Sequence, residues 1–365
     1  MKVILDEVCE RESSNLKQSD VINNNGDYPI YGAAGYIGNV DFYHQGNPYI
    51  AVVKDGAGIG RATLLPAYSS VIGTMQYLIP KSNVLPEYLY YVIRNMHLEK
   101  YYTGATIPHI YFKDYKKETF NLSSIEEQRK IVDILGKVER IIEARTLEME
   151  QFNILIRARF VEMFGNVDTG NYRYKTYKLG DVASVGSSHR VFTTEFVEKG
   201  VPFYRGTEIG ELANGIKPTE PYFISKEQYN RLANDDTKPQ IGDLLMPSIC
   251  NKGQVWMVDT KEPFYYKDGR VLCISPDREI FDTKYLEYFM RVKTLVTYPK
   301  LGSGSTFAEF KIFLLKGIDV LVPPRNLQEQ FADFVRQVDK SKAAIQKSLD
   351  ETQLLFDSLM QKYFG

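Results

Sequence analysis

The segment Ser124–Gly165, SIEEQRKIVDILGKVERIIEARTLEMEQFNILIRARFVEMFG, decides the fold of this chain. Its apolar residues recur at steps of four and three, at Ile131, Leu135, Val138, Ile142, Met149, Phe152, Ile156 and Met163. A repeat of about 3.5 residues is typical of a coiled-coil seam, which is narrower than the apolar stripe of an ordinary surface helix. The segment therefore predicts one long helix, and about 40 residues at ~1.5 Å each would span roughly 60 Å.

The same pattern returns 200 residues later in the chain. The corresponding seam positions are Phe331, Val335, Val338, Ile345, Leu349, Phe356, Leu359 and Tyr363. The first segment ends with Met163-Phe164-Gly165 and the second with Tyr363-Phe364-Gly365. Since glycine is a favourable helix stop, the first helix is expected to end before Gly165.

The starts of the two helices carry capping signals. Ser124 and Glu127 fit a capping box, in which the serine and the glutamate satisfy free backbone N–H groups. Asn326 and Glu329 are expected to rebuild this cap at the second helix. The Glu-Gln pairs Glu127-Gln128 and Glu329-Gln330 are offset by 202 residues, whereas the seams are offset by 200. The two helix entries are therefore expected to differ by about two residues.

The regions outside the helices are repeated as well. The matching segments are Leu179–Val182 with Leu5–Val8, Val201–Tyr204 with Tyr28–Tyr31, Lys284–Tyr288 with Glu87–Tyr91, and Gly304–Thr306 with Gly104–Thr106. Their offset rises from 173 to 200, so the second region is longer by about two dozen residues, mostly between Tyr204 and Lys284. The pattern indicates a tandem duplication with four segments, namely 1–121, 122–165, 166–322 and 323–365.

These observations predict an α+β fold with two mixed α/β domains joined by two long helices. If the helices pack on each other, they must run antiparallel, because a globular domain separates them in the chain. The result would be an intramolecular coiled coil with pseudo-two-fold symmetry. Three polar seam residues, Arg145, Lys342 and Thr352, either fix the helix register or are tolerated because they are partly exposed.

The composition is that of an ordinary globular protein, with 44% hydrophobic and 25% charged residues. Asp6 and Glu7 interrupt the apolar core that a signal peptide needs, and no apolar run reaches the ~18 residues of a membrane span. The three cysteines are widely spaced, which favours a reducing compartment. We therefore expect a cytoplasmic protein without a membrane partner. The net charge is −1, so binding to nucleic acid would depend on local patches or a basic partner.

Motifs for catalysis and metal binding are weak throughout the sequence. The four histidines have no metal-ligand spacing to one another or to a cysteine. Gly56-Ala57-Gly58-Ile59-Gly60 lacks the spacing of a phosphate-binding loop and favours a turn between strands. Pro276-Asp277 and Lys284 have the letters of a nuclease motif, but Lys284 is expected to open a helix. We therefore expect no catalytic site and no metal site in this chain.

The doubled motifs resemble those of the specificity subunits of Type I restriction–modification systems, the HsdS family. The motifs are Gly104-Ala105-Thr106-Ile107-Pro108-His109-Ile110 and Gly302-Ser303-Gly304-Ser305-Thr306, each about 20 residues before a Glu-Gln pair. The long helices with their Phe-Gly ends complete the pattern, and the resemblance covers the whole chain. The loss of about two residues after the second Glu-Gln pair is the one departure.

The resemblance implies a function for each segment. Each globular unit would be a target recognition domain for one half of a bipartite double-stranded DNA site. The paired helices would set the unread spacer and dock two modification (methyltransferase) subunits, which would bring S-adenosylmethionine and adenine-N6 chemistry. Restriction (motor-nuclease) subunits would add ATP- and Mg-dependent translocation and cleavage. The chain itself would hold no cofactor and catalyse nothing.

Base reading requires polar side chains on loops that enter a groove. For the first domain we predict Lys54 and Arg61, with Tyr36, Asn39 and Lys113 as secondary candidates. For the second domain we predict, in chain order, His189, Arg190, Arg205, Ser248, Asn251, Lys252 and Gln254. Solvated loops commonly contain such residues, so only about a third of them are expected to contact DNA.

Two other classes of function compete with DNA recognition. A coiled-coil scaffold for proteins or peptides is favoured by the flat charge and disfavoured by the doubled Gly-x-Thr and Glu-Gln pattern. An enzyme with an unrecognised site has no supporting residues in the sequence.

Overall fold

A computed structural model of the chain describes residues 1–21, 24–104, 108–233, 237–301 and 308–365. The chain divides into two compact units, which are Met1–Glu148 with Ile345–Gly365, and Met149–Ala344. Each unit therefore combines one globular domain with part of both long helices. The four predicted segments remain a description of chain order, and the unit boundaries fall inside the helices.

The first domain is a mixed structure of short strands and helices. Its elements are β1 (Lys2–Ile4), α1 (Leu5–Val8), β2 (Cys9–Ser13), α2 (Gln18–Val21), β3 (Tyr28–Gly32), β4 (Gly35–Val40), β5 (Tyr49–Val53), β6 (Ala62–Leu65), β7 (Ser70–Val71), β8 (Met75–Pro80), α3 (Pro86–Asn95), a 3-10 helix (Leu98–Tyr101), α4 (Phe112–Tyr115) and β9 (Thr119–Asn121). The strands form three sheets with the orders β1-β9, β2-β8-β5-β6 and β4-β3-β7. Strand β5 is buried along its whole length, and an unbroken apolar run of this length is typical of a buried strand.

The first long helix, α5 (Ile125–Phe164), has 40 residues. The Ser124 hydroxyl accepts a hydrogen bond of 3.3 Å from the Glu127 N–H, as expected of the cap. The helix stops before Gly165, which has a φ of +97°. A Cβ atom at Gly165 would lie 2.2 Å from the Asn171 carbonyl oxygen, so this stop requires glycine.

The second domain follows the plan of the first. Its elements are β10 (Gly165–Asn166), β11 (Asn171–Tyr172), β12 (Thr176–Lys178), α6 (Leu179–Val182), β13 (Ala183–Gly186), a 3-10 helix (Thr193–Glu195), β14 (Val201–Tyr204), α7 (Gly206–Ala213), β15 (Tyr222–Ile224), α8 (Lys226–Leu232), β16 (Leu244–Pro247), β17 (Trp256–Met257), β18 (Tyr265–Tyr266), β19 (Val271–Pro276), α9 (Thr283–Thr297), a 3-10 helix (Tyr298–Lys300), α10 (Ile312–Lys316) and β20 (Asp319–Leu321).

The sheet orders show the duplication directly. The second domain has the orders β12-β20, β13-β19-β16-β17 and β15-β14-β18, besides the hairpin β10-β11. They match the three sheets of the first domain strand for strand. The added residues lie between β14 and β16, where α7 and α8 are inserted, as the rising offset predicted.

The second long helix, α11 (Arg325–Phe364), also has 40 residues and is offset from α5 by 200 at both ends. Two predictions about its start were therefore wrong. Asn326 lies within the first turn and is not the cap. The structural equivalent of Gln128 is Gln328, because both side chains are fully buried and bond the same kinds of backbone group. The helix entries do not differ by two residues.

In each unit, portions of both long helices share one apolar core. In the first unit, Ile131 and Leu135 of α5 lie in the same cluster as Phe356 and Met360 of α11. In the second unit, Ile156, Phe160 and Phe164 of α5 lie in one cluster with Phe331, Val335 and Val338 of α11. Half of the predicted seam positions are therefore buried and the others are partly buried, whereas the sequence pattern did not include Phe160, Phe164 or Met360.

Within the second unit the two helices run antiparallel. The Lys342 ammonium donates a 2.9 Å hydrogen bond to the Asn153 side-chain oxygen. The Phe160 and Phe164 rings lie 5.3 and 5.6 Å from the Phe331 ring. Residues with higher numbers on α5 thus contact residues with lower numbers on α11, which is the antiparallel arrangement predicted for the packed pair.

The polar seam residues differ in what they contact. Lys342 contacts the other helix through Asn153. Arg145 pairs with Glu148 on its own helix, and Thr352 bonds the Ser348 carbonyl of its own turn. Of the three, Lys342 therefore fits the register role, whereas Arg145 and Thr352 fit partial exposure. Within the described ranges, no helix combines the length and apolar content that crossing a membrane requires.

Candidate nucleic-acid interface

The glycine-rich turn of the first domain connects the antiparallel strands β5 and β6, as expected of a strand-to-strand turn. Three glycines in it have positive φ, and a Cβ atom at Gly60 would lie 2.5 Å from the Glu99 nitrogen. The Arg61 guanidinium donates to the Ala33 carbonyl in the turn between β3 and β4. The two turns are therefore adjacent, and Arg61 is held between them.

The other end of the glycine-rich turn contacts the segment after the Gly-x-Thr motif. An Asp55 carboxylate oxygen lies 2.6 Å from His109 Nδ1, and the Lys54 ammonium lies 3.7 Å from the other oxygen. The His109 ring stacks on Tyr111 at 6.4 Å, and the Lys113 ammonium lies 5.1 Å from the Tyr111 ring. Lys54 and Lys113 therefore belong to one continuous surface.

The remaining candidates of the first domain, Tyr36 and Asn39, lie on β4. The Tyr36 hydroxyl donates a 3.0 Å hydrogen bond to the Asn39 side-chain oxygen, and 62% of Tyr36 is exposed. β4 begins just after the Ala33 contact of Arg61, so Tyr36 and Asn39 lie on the strand that leaves the turn to which Arg61 binds. Sequence reasoning missed Asp55, His109 and Tyr111 as members of this surface.

In the second domain, His189 and Arg190 are held against the connection between β18 and β19. The Arg190 guanidinium donates to Asp268 at 3.1 Å, and the His189 N–H donates to the Tyr265 hydroxyl at 2.9 Å. The Ser187 hydroxyl donates to the Val271 carbonyl at 2.8 Å. These bonds fix the start of the loop that follows β13.

Arg205 begins the inserted region and is committed to an ion pair. Its guanidinium donates to both oxygens of Glu208, at 2.6 to 3.3 Å, and stacks on the Tyr222 ring at 4.5 Å. The Glu208 side chain is only 5% exposed. Burial raises the pKa of Glu208, but the hydrogen bonds from Arg205 outweigh burial and hold that pKa below its usual value. Arg205 is thus at least partly a structural residue.

The turn after β16 contains the other candidates. Ser248 is 1% exposed, so its side chain is not available to a nucleic acid in this conformation. Asn251 and Lys252 are exposed, and the Gln254 side chain ties the turn together by accepting from the Lys252 N–H at 2.9 Å. Asn251 and Lys252 are therefore the accessible pair of this group.

Sequence reasoning also missed the positive charges of the β18–β19 connection. The Arg270 guanidinium donates to Glu309 at 2.9 Å, and the Lys267 ammonium lies 3.4 Å from Asp268. Asp268 also accepts from Arg190, so Lys267 and Arg190 share one carboxylate. The Arg270 carbonyl accepts a 2.8 Å hydrogen bond from the Ser248 N–H, which places Arg270 beside Ser248. No local motif distinguishes them in the sequence. Of the doubled Gly-x-Thr motif, residues 105–107 and 302–307 lie outside the described residues.

The cysteines and the nuclease-like letters have structural explanations. Burial raises the pKa of Cys9 to about 12, that of Cys250 to about 11 and that of Cys273 to about 12. None of these thiols is therefore a nucleophile near neutral pH. Lys284 lies in α9, as expected, and pairs with Glu287 at 3.0 Å. Among the described residues, no cluster of three potential ligands could hold a metal ion.

Sequence comparisons relate the chain to known proteins. A family model described as the Type I restriction modification DNA specificity domain matches residues 1–151 and 171–352. The Type I restriction enzyme MjaIX specificity subunit of Methanocaldococcus jannaschii is 22% identical over 316 residues. This match covers 78% of the present chain and 69% of that protein.

Structural comparisons give the same fold. The crystal structure of a Type-I restriction-modification system S subunit from M. genitalium matches with a TM-score of 0.63 and 16% identity, over 100% of this chain and 96% of that chain. A chain from a structure on complex assembly and conformational transition of the type I R-M system matches with a TM-score of 0.54 and 16% identity, over 100% and 97%. At this identity the likeness establishes the fold alone.

The pair of Arg205 and Glu208 gives a prediction with a defined pH dependence. Arg205→Ala removes the guanidinium from a buried carboxylate and leaves it the hydrogen bond from the backbone N–H of residue 205, so it should destabilise the second domain by about 1–3 kcal/mol near neutral pH. A carboxyl whose folded pKa is lowered stabilises the fold above its unfolded pKa, and this stability is lost as the pH falls through the folded pKa. The loss caused by Arg205→Ala should therefore shrink well below pH ~4.

Urea unfolding, followed by the fluorescence of Trp256 near neutral pH and again well below pH ~4, measures this loss of stability. Lys252→Ala is the matched control, because it removes an exposed charge and should leave stability unchanged at either pH. An equal loss of stability at both pH values would contradict a stabilising ion pair between Arg205 and Glu208.

Proposed function

The chain belongs to the Type I restriction–modification DNA specificity family, and we propose that each of its globular domains reads one half of a bipartite DNA site. Sequence-specific DNA recognition is the function of a specificity subunit. The observation that carries the bipartite proposal is that the domains share one strand order but differ at equivalent positions next to the strand ends. Two such domains can read two different half-sites.

Backbone hydrogen bonds identify these equivalent positions. The Ile110 N–H donates to the Lys54 carbonyl, and the Phe310 N–H donates to the Ser248 carbonyl. Lys54 of the first domain therefore corresponds to the buried Ser248 of the second. The same alignment pairs His109 with Glu309. A histidine side chain can carry a positive charge, whereas a glutamate side chain carries a negative one. Such differences support reading of unlike sequences by the two domains.

For the first half-site we propose a reading surface formed by the glycine-rich turn and the segment 109–113. Lys54, Arg61 and Lys113 supply donors there, and Tyr36 supplies an exposed aromatic ring. For the second half-site we propose Arg190, Asn251 and Lys252, with Arg270 added from the structure. Apart from Tyr36 on β4 and Lys113 on α4, these residues lie in loops on a scaffold of paired strands, which is how binding residues are commonly presented.

The proposal includes partners, because the chain is nearly neutral. Phosphate contacts dominate the affinity of most DNA-binding proteins, and they require positive charge. We propose that modification subunits supply much of this charge, together with S-adenosylmethionine and adenine-N6 methylation. Restriction subunits would bring ATP and Mg²⁺. The chain itself would contribute recognition and no catalysis. Tight binding of the isolated chain to DNA with a steep salt dependence would argue against this division.

Exposed apolar residues on the long helices support a docking role. Helix α5 exposes Ile154 by 58% and Leu155 by 47%, and α11 exposes Leu354 by 69% and Leu355 by 51%. The two pairs are offset by 200 residues and are therefore equivalent positions of the repeat. Neighbouring exposed apolar side chains that recur at equivalent positions of a repeat are candidates for protein contacts. Because the same surface occurs twice, we propose that two copies of one modification subunit dock on it.

Selection from a random duplex pool, with the chain bound to its modification subunit, tests DNA recognition. The enriched sequences should contain two specified blocks separated by an unread spacer of fixed length. Lys54→Ala should relax one block only, because it removes a donor from one domain, and a lost base contact costs about 1–3 kcal/mol. Lys137→Ala removes an exposed charge from α5 instead and should leave both blocks unchanged. A wild-type complex that enriches no sequence would refute the proposed function.

Leu354→Glu tests the docking surface. A charge at this position should prevent one modification subunit from binding, so native mass spectrometry should show one bound copy instead of two. The double variant Ile154→Glu/Leu354→Glu should bind none. Gln353→Glu adds the same charge at the neighbouring residue without replacing an apolar side chain, and it should keep two copies. If the double variant still binds two modification subunits, this surface is excluded as their docking site.

A heptad inserted after Arg145 and another after Ile345 test whether the helices set the spacer. Seven residues add about 10.5 Å of helix, which corresponds to roughly three base pairs at ~3.4 Å each. The enriched sites should therefore keep both blocks and gain about three spacer positions. The same pool selection measures this, and an unchanged spacer would refute the ruler role.

A further inference from the structure

Gln128 lies in the first turn of α5 and is fully buried. Its side-chain oxygen accepts a 2.8 Å hydrogen bond from the Leu85 N–H. Its side-chain nitrogen donates to the Asn83 carbonyl at 3.1 Å and to the Ser123 carbonyl at 2.9 Å. One side chain thus connects the segment before α3 with the segment before α5.

Gln328 makes the same three bonds in the second unit. Its oxygen accepts a 3.0 Å bond from the Asp282 N–H, and its nitrogen donates to the Ile280 carbonyl at 3.0 Å and the Pro323 carbonyl at 2.8 Å. Leu85 and Asp282 are the N-cap residues of α3 and α9. The arrangement therefore recurs in both units at the residue level.

Both amides use most of their bonding capacity on backbone groups. A glutamine side chain has two donor hydrogens and an oxygen that accepts, and here all of these functions are engaged. Apolar contacts are non-directional, whereas three hydrogen bonds from one planar amide favour one orientation of the groups that they join. The buried amide therefore adds a directional constraint to the apolar core that α3 and α5 share.

The angle between a recognition domain and the long helix that begins beside it matters for reading DNA. A rotation of about 10° at the joint moves a surface about 15 Å away by roughly 2.6 Å, taking a domain radius of that order. A base-pair step is ~3.4 Å, so such a rotation displaces the reading loops by most of one step. Small changes at the joint would therefore change which bases a loop can reach.

We propose that Gln128 and Gln328 are positioning residues for DNA recognition, each holding its own domain at the angle needed to read its half-site. This inference rests on the proposed function. Each glutamine acts on one domain, since its three bonds lie within one unit. Loss of one amide therefore affects one half-site and the spacer that adjoins it.

Gln128→Met tests the inference, because methionine has a similar size but makes none of the three bonds. In pool selection with the modification subunit, discrimination in the block that Lys54→Ala relaxes should fall at least about tenfold, and the spacer should vary by about one base pair. The other block should be unchanged. Gln328→Met should produce the opposite pattern. Gln128→Asn keeps an amide that is one methylene shorter and should show a weaker form of the same effect.

Ile131→Val is the matched control, because it weakens the buried start of α5 without removing a hydrogen bond. It should lower the melting temperature and leave both blocks and the spacer unchanged. A purely structural role predicts that Gln128→Met behaves like this control, or loses one block while the spacer stays fixed; either result overturns the inference. If the wild-type complex enriches no site, the proposed function itself fails, which is a distinguishable outcome.

Discussion

The burial of one apolar stripe along each long helix is the constraint on which both units depend. A domain helix packs against this stripe in each unit. The Tyr88 ring of α3 lies 5.3 Å from Phe364, and the Tyr285 ring of α9 lies 5.1 Å from Phe164. Both tyrosines are fully buried. The core of each domain and the core between the helices are therefore continuous, and neither can rearrange without the other.

The features that the sequence predicts correctly are those with local, periodic causes. The seam at Ile131 and Leu135 follows from a 3.5-residue period, and strand β5 follows from an unbroken apolar run. The stop at Gly165 follows from the freedom of glycine at positive φ. The repeat itself predicts that the second domain copies the first, because equivalent patterns produce equivalent elements.

The features that the sequence misses depend on tertiary contacts. The start of α11 was misplaced because Gln328-Glu329-Gln330 offers two glutamines, and only the buried hydrogen bonds of Gln328 distinguish them. Ser248 is a polar residue in a turn-like sequence, yet strand pairing around it leaves it buried. The contact of Asp55 with His109 joins residues that are far apart in the chain. Periodicity and spacing carry no information about such pairs.

The division of the chain into units also sets the order in which the protein can fold. The second unit is one continuous segment, Met149–Ala344, whereas the first requires Ile345–Gly365 in addition to Met1–Glu148. Chains emerge from the ribosome N-terminus first, and domains fold as they emerge. The domain that is synthesised first is therefore completed last, when Phe356 and Met360 reach its core. Until then α3 covers part of the seam on α5, and the places of Phe356 and Met360 in this core stay open.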